Sequence, residues 1–239
     1  MKNFDRLALG VFAAALVLIG HATAQERTAL KPGQVQSKDG KAPVTAEAKP
    51  VDAETIRAQR PSYPLTKCVA SGDELGKGAV DHVIKGRLVR LCCADCIAGA
   101  EKDPAAAFKK IDEGVVAAQK RAYPLAACVV SDAKLGDTAV DHVYGTKLVR
   151  LANADAVAAF EKDPKTFMAK VDKGWIESQR PGYATKSCVV SGEAIEGNAD
   201  MTPFDYLHGT KLIRLCCRSC VRSFQKDPDT YLKKLAAAN

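Results

Sequence analysis

One phrase of about 60 residues is written three times in this chain of 239. Tyr63, Tyr123 and Tyr183 fall in step, as do Cys68, Cys128 and Cys188, then Ser71, Ser131 and Ser191. Asp103-Pro104 returns as Asp163-Pro164 and, after a four-residue insertion, as Asp227-Pro228. The lead-ins DAETIRAQRPSY, DEGVVAAQKRAY and DKGWIESQRPGY match as well. Self-similarity at a fixed period marks an array of supersecondary units, each too small to bury its apolar face alone. The expected fold is therefore α+β: three tandem small units, each a β-hairpin plus helices, linked by helices. Their bounds are placed at 51–111, 112–171 and 172–239.

Within a unit the local signals are consistent. After the tyrosine, Cys-Val-x-Ser followed by Gly or Asp predicts a tight turn, with the serine hydroxyl available to the backbone and positive φ available at glycine. DHVIKGRLVRLC and DHVYGTKLVRLA are apolar segments around Lys-Gly and Gly-Thr, which is a hairpin pattern. A short helix is expected to begin at the cluster that follows the second strand. Asp103 is a candidate N-cap with Pro104 at the first helical position. Phe108, Ile111, Val115 and Val116 then recur at helical spacing, and Gly114 and Gly174 are expected to break that helix. In the third copy Tyr231, Leu232 and Leu235 repeat the stripe. The stripe reads as core.

The nine cysteines are distributed four, one and four. VRLCCADC at 89–96 reappears as IRLCCRSC at 213–220, while the middle copy reads VRLANADA at 149–156. Cys92, Cys93 and Cys96 are thus lost together in the copy that keeps Cys128, and Cys216, Cys217 and Cys220 are retained together beside Cys188. Joint loss says that the cysteines work as a set. Units this small bury little surface, and metals or disulfides commonly make up the deficit. Three chemistries fit: thiolate ligation of a metal, structural disulfides, and thiol–disulfide exchange through Cys93-Ala-Asp-Cys96 and Cys217-Arg-Ser-Cys220. A bridge between neighbours such as Cys92 and Cys93 is geometrically awkward. The exchange chemistry expects a βαβ setting where this chain offers a hairpin.

Cys-x-x-Ser-Gly, a hairpin, Leu-Cys-Cys-x-x-Cys, a short helix and Asp-Pro with a following aromatic together resemble the TRASH and YHS group of small metal-binding domains, relatives of treble-clef zinc fingers. The resemblance covers nearly all of 63–111 and 183–235, and the middle frame without its chemistry. It implies that Cys68, Cys92 and Cys96, and likewise Cys188, Cys216 and Cys220, hold zinc or a heavy metal, in proteins that traffic, resist or sense metals. The chain departs from the family at the knuckle, where Ser71 and Ser191 replace the second cysteine; Ser131 in the cluster-free copy marks that serine as a turn former. Cys93 and Cys217 are the candidate fourth thiolates. Four thiolates suit a closed tetrahedral zinc site, and three suit a softer ion such as Cu(I). About one ion is expected per complete unit. His82 and His142 share a position, but the second sits where the cluster is gone, so both read as strand residues; His208 reads as an exposed turn residue.

The first residues read as a targeting segment. Lys2 and Arg6 precede the apolar run 7–20, and Ala22-Thr23-Ala24 supplies a cleavage site, so residues 1–24 are expected to be a secretory signal. Residues 25–50 contain no aromatic residue and read as a flexible linker. The expected protein is exported, periplasmic or secreted, with no membrane span in the mature chain and with a metal-delivery protein as a candidate partner. A formal net charge of +7 raises the question of nucleic acid. The basic residues are scattered and lack interleaved stacking aromatics, which speaks against it. No nucleophile–base set or phosphate-cradling loop is found, and an enzyme is not expected.

Overall fold

The computed structural model describes residues 50–237. The signal segment expected at 1–24 and the linker at 25–50 lie outside the described residues, apart from Pro50, which begins the first helix. One order of elements recurs. Helix α1 (Pro50–Gln59) leads through a 3-10 turn into the hairpin β1 (Val80–Ile84) and β2 (Arg87–Leu91), then α2 (Cys96–Lys102) and α3 (Pro104–Gln119). The second pass is β3 (Val140–Tyr144), β4 (Lys147–Leu151), α4 (Ala154–Lys162) and α5 (Pro164–Gln179). The third is β5 (Phe204–His208), β6 (Lys211–Leu215), α6 (Cys220–Lys226) and α7 (Pro228–Ala237). The result is a mixed α+β fold whose sheets are three separate antiparallel pairs, β1–β2, β3–β4 and β5–β6.

The hairpins close where the turn residues stand. Ile84 pairs with Arg87 around Lys85-Gly86, Tyr144 with Lys147 around Gly145-Thr146, and His208 with Lys211 around Gly209-Thr210. Period-2 alternation puts Val89, Leu91, Val149, Leu151, Ile213 and Leu215 in the cores, all fully buried. Across each pair an arginine meets an aspartate: Arg90 Nε to Asp81 at 2.8 Å, Arg150 to Asp141 at 2.9 Å, Arg214 to Asp205 at 2.8 Å. The Asp-Pro signals are helix starts. Asp103 accepts from the Ala106 N–H at 3.0 Å, and Asp163 and Asp227 do the same for Thr166 and Thr230.

Two expectations need correction. Gly114 and Gly174 do not break their helices, since α3 and α5 each run unbroken for 16 residues. They are glycine because of crowding. A Cβ on Gly114 would stand 2.7 Å from Leu65 Cδ2, and one on Gly174 would stand 2.6 Å from Leu125 Cδ2. The unit bounds 111/112 and 171/172 consequently fall inside continuous helices, so neighbouring units share them. Second, His208 is not in a turn; it ends β5 and rests its ring edge on Phe224 at 5.3 Å, and burial lowers its pKa.

A device that the sequence reading missed holds each hairpin to its lead-in helix. Gln59, Gln119 and Gln179 close α1, α3 and α5, and each side-chain oxygen accepts the N–H of Leu88, Leu148 or Leu212 at 2.9, 2.9 and 3.0 Å. Each side-chain amide donates back to a turn carbonyl, of Gly86, Thr146 or Thr210. The middle clamp is buried, with Gln119 only 5 % exposed. A Gln119→Ala substitution leaves a buried donor and acceptor unpaired and is expected to lower the unfolding free energy by about 2 kcal/mol. Urea denaturation reads this directly. Gln59→Ala, at a more exposed turn, should cost less, and equal effects would contradict the role given to burial.

The units also interlock. Thr146, 1 % exposed, donates to the Gln59 carbonyl at 2.7 Å, and its hydroxyl meets that of Ser62 at 2.8 Å. Arg87 donates to the Gly145 carbonyl at 3.0 Å. Leu148 and Val143 of the second unit pack into the first core, and Leu207 of the third packs into the second. The middle copy therefore leans on both neighbours. Among the described residues no helix is long and apolar enough to cross a membrane.

Candidate metal centres

The eight cluster cysteines come together as two groups of four. The first ligand arises from a tight turn. Cys68 donates its N–H to the Asp73 carbonyl at 2.7 Å and accepts from the Gly72 N–H at 2.9 Å, a closure that needs φ of +84° at Gly72. Cys188 is held the same way by Glu193 and Gly192, whose φ is +81°. The middle copy takes the same turn with Asp132 at φ +57°. The other sulfurs come from the end of the hairpin, where β2 ends at Leu91 and α2 starts at Cys96, and from the equivalent step between Leu215 and Cys220.

Cys68, Cys92 and Cys96 place their sulfurs within 4.8 Å of one another, as do Cys188, Cys216 and Cys220. Cys93 lies against the first group, 3.9 Å from Cys92 Sγ and 3.7 Å from Cys96 Sγ, with Cys92 to Cys96 at 3.6 Å. Cys217 stands 3.8 Å from both Cys216 and Cys220, which are 3.7 Å apart. Sulfurs about 2.3 Å from a common zinc stand about 3.8 Å apart in a tetrahedron and about 4.0 Å apart in a trigonal plane. The three spacings within each cluster are close to the tetrahedral edges and the knuckle sulfur lies within 4.8 Å, so the donor set fits a thiophilic ion. They are far longer than the roughly 2.05 Å of a sulfur–sulfur bond. All nine cysteines are free thiols, so the disulfide alternative is not the arrangement seen.

Ser71 and Ser191 do form turns, as their sequence position suggested: each hydroxyl accepts the N–H two residues on, at 3.3 Å. The same hydroxyls also face sulfur, Ser71 at 3.4 Å from Cys92 and Ser191 at 3.3 Å from Cys216. Burial works to raise the Cys68 thiol, but hydrogen bonds from Ser71 and from the Cys92 and Ala70 backbone outweigh it and bring it to about 6. The Cys188 thiol falls to about 7 against the same opposition, through the Cys216 and Ser191 backbone. At the other end burial and the neighbouring sulfurs push Cys96 up to about 12, and burial pushes Cys220 up as well. Each group thus sets a thiol of lowered pKa beside one of raised pKa, and a metal ion must displace the proton of the latter as it binds.

The histidines stay out of both groups. His82 pairs with Glu101 at 2.9 Å, and His142 sets its ring edge on Phe160 at 5.3 Å. In the middle copy one of the missing cysteines has a structural replacement. Asn153, where the first copy has Cys93, caps α4 by accepting the Ala156 N–H at 2.9 Å. Phe160, fully buried, packs among His142, Tyr144 and Phe167 where the first copy has Ala100 and the third has Phe224. Cys128 is left alone and buried. No family model, curated protein or solved structure matches the chain.

Proposed function

We propose that this is an exported metal-binding protein that holds zinc, or a softer ion such as Cu(I), in two thiolate centres. The ligands are Cys68, Cys92, Cys93 and Cys96 in the first unit and Cys188, Cys216, Cys217 and Cys220 in the third. The observation that carries the reading is the packing of three sulfurs at 3.6–3.9 Å beside a knuckle cysteine in each complete unit. An apo protein gains little from crowding four thiols, whereas a thiophilic ion requires it. A tight turn, a hairpin and a cysteine at the start of a helix support a TRASH- or YHS-like, treble-clef type of unit. A role in metal buffering, trafficking or resistance follows, with delivery to or from a partner protein.

The middle copy keeps the hairpin, cap and helices without a cluster, so packing alone holds this frame. Metal removal is therefore expected to leave most of the helical signal in place. Elemental analysis with thiol titration on protein purified without added metal tests the binding, and circular dichroism before and after chelation tests the frame. Absence of thiophilic metal together with oxidised cysteines would overturn the reading. Collapse of the helical signal would make the ion a scaffold instead of cargo.

A further inference from the structure

Both complete units bring four sulfurs together, yet their surroundings differ in three respects. The first is cover. In the third unit Cys216 is 1 % exposed and Cys220 9 % exposed, whereas their counterparts Cys92 and Cys96 are partly open; Cys68 and Cys188 are both buried, and Cys93 and Cys217 are both partly open. The second is what supplies that cover. Phe224, fully buried, occupies the place of Ala100, and Ile195, 3 % exposed, takes that of the half-buried Leu75. The four-residue insertion adds Met201, which packs on the core that contains Cys188, Cys216 and Cys220. The change in length between the units thus adds a residue to the core that holds these cysteines.

The third difference is charge and hydrogen bonding. The loop between Cys93 and Cys96 carries Asp95, and Asp73 Oδ2 lies 3.9 Å from Cys92 Sγ. The corresponding loop in the third unit carries Arg218 and Ser219, with the Ser219 hydroxyl 3.0 Å from Cys217 Sγ. Four thiolates around a divalent ion leave a net negative site, so the Asp73 carboxylate beside Cys92 raises its energy and the Ser219 hydroxyl beside Cys217 lowers it.

We propose that the two centres divide the work: the first unit is an exchange port that passes its ion to a thiol-bearing acceptor, and the third retains its ion. This rests on the metal-binding reading above. Transfer at the port is a ligand exchange without change of oxidation state. An acceptor thiolate bonds to the ion as the bond to one of Cys92, Cys93 or Cys96 breaks, and the proton released by the acceptor thiol goes to the departing cysteine. Partial exposure of these three sulfurs gives the incoming ligand its approach; at the third unit Phe224, Ile195 and Met201 pack with the core that encloses Cys216 and Cys220 and leave Cys217 alone partly open.

The test uses the full mature chain loaded with zinc and challenged with excess pyridylazo-resorcinol, which reports released zinc by colour. Two phases of equal amplitude are expected, differing in rate by about tenfold or more. Cys92→Ser with Cys96→Ser removes the fast phase, and Cys216→Ser with Cys220→Ser removes the slow one. A single phase, or a fast phase that survives the first pair of substitutions, overturns the proposal. Should a variant not fold, N-ethylmaleimide labelling of the loaded unmodified chain, read by mass spectrometry, decides the matter: Cys92, Cys93 and Cys96 must react before Cys216 and Cys220, and the reverse order or equal reaction overturns it. Loading well below two ions before any challenge overturns the metal reading itself, which separates that failure from failure of the division.

Discussion

Replacing Cys92 and Cys96 by serine is expected to lower bound metal from about two ions per chain to about one, because each centre is built within its own unit and shares no ligand with the other. Cys92 and Cys96 contribute sulfurs to the first group alone, which also holds Cys68 and Cys93. A remnant of two thiolates lacks the closed donor set that structural zinc requires. Elemental analysis after gel filtration measures the stoichiometry, and far-ultraviolet circular dichroism checks that the rest of the chain is intact. Loss of all metal from this one double variant would show that the centres depend on each other. A count near three would place an ion in the middle copy at Cys128, which has no second sulfur beside it in its own unit.

The second large effect belongs to the unit without a cluster. Phe160→Ala should lower the unfolding free energy by about 3–5 kcal/mol, the range for removing a fully buried aromatic ring from a packed core. Phe160 is fully buried and meets His142, Tyr144 and Phe167 at ring distances of 5.3, 5.8 and 6.0 Å. That unit has no cysteine cluster, and a loss of that size is comparable to the whole stability of many domains. Phe160→Leu, which keeps most of the volume, should cost about 1 kcal/mol. Guanidinium unfolding of metal-free protein provides the measurement. A cost below that of the leucine variant would mean that the middle core is held by its neighbours and not by its own ring.

The strands, their register and the Asp-Pro caps were legible in the sequence because each depends on signals a few residues apart. Lys85-Gly86 and Gly145-Thr146 dictate where a hairpin turns, and Asp103 needs only the N–H three positions on. The grouping of cysteines was legible for a different reason: their joint absence from the middle copy marks a set without any geometry. What escaped depends on contacts between distant segments. Gly114 looked like a helix breaker because intrinsic propensity penalises glycine, but Leu65, 49 positions back in the chain, leaves no room for a Cβ. The Gln59, Gln119 and Gln179 clamps span about 30 residues, though their recurrence in the phrase A/S-Gln-Arg/Lys was a signal available from the repeat alone. His208 looked like a turn residue until pairing with Lys211 placed it at a strand end over Phe224. The covering of the third centre by Phe224 and Met201 could not be read without knowing which side of each element faces the sulfurs.

The two unbroken helices α3 and α5 have a mechanical consequence. Each spans 16 residues, packs into the core of one unit and also lies against the hairpin of the next. At about 1.5 Å of rise per residue each is a strut of roughly 24 Å. A strut packed against both hairpins ties the orientation of one unit to that of the next. Excising a unit at the sequence period would saw through a strut and leave two frayed stubs. A fragment that preserves its mechanics instead runs from Pro50 to the end of α3, carrying its successor's lead-in as its own handle.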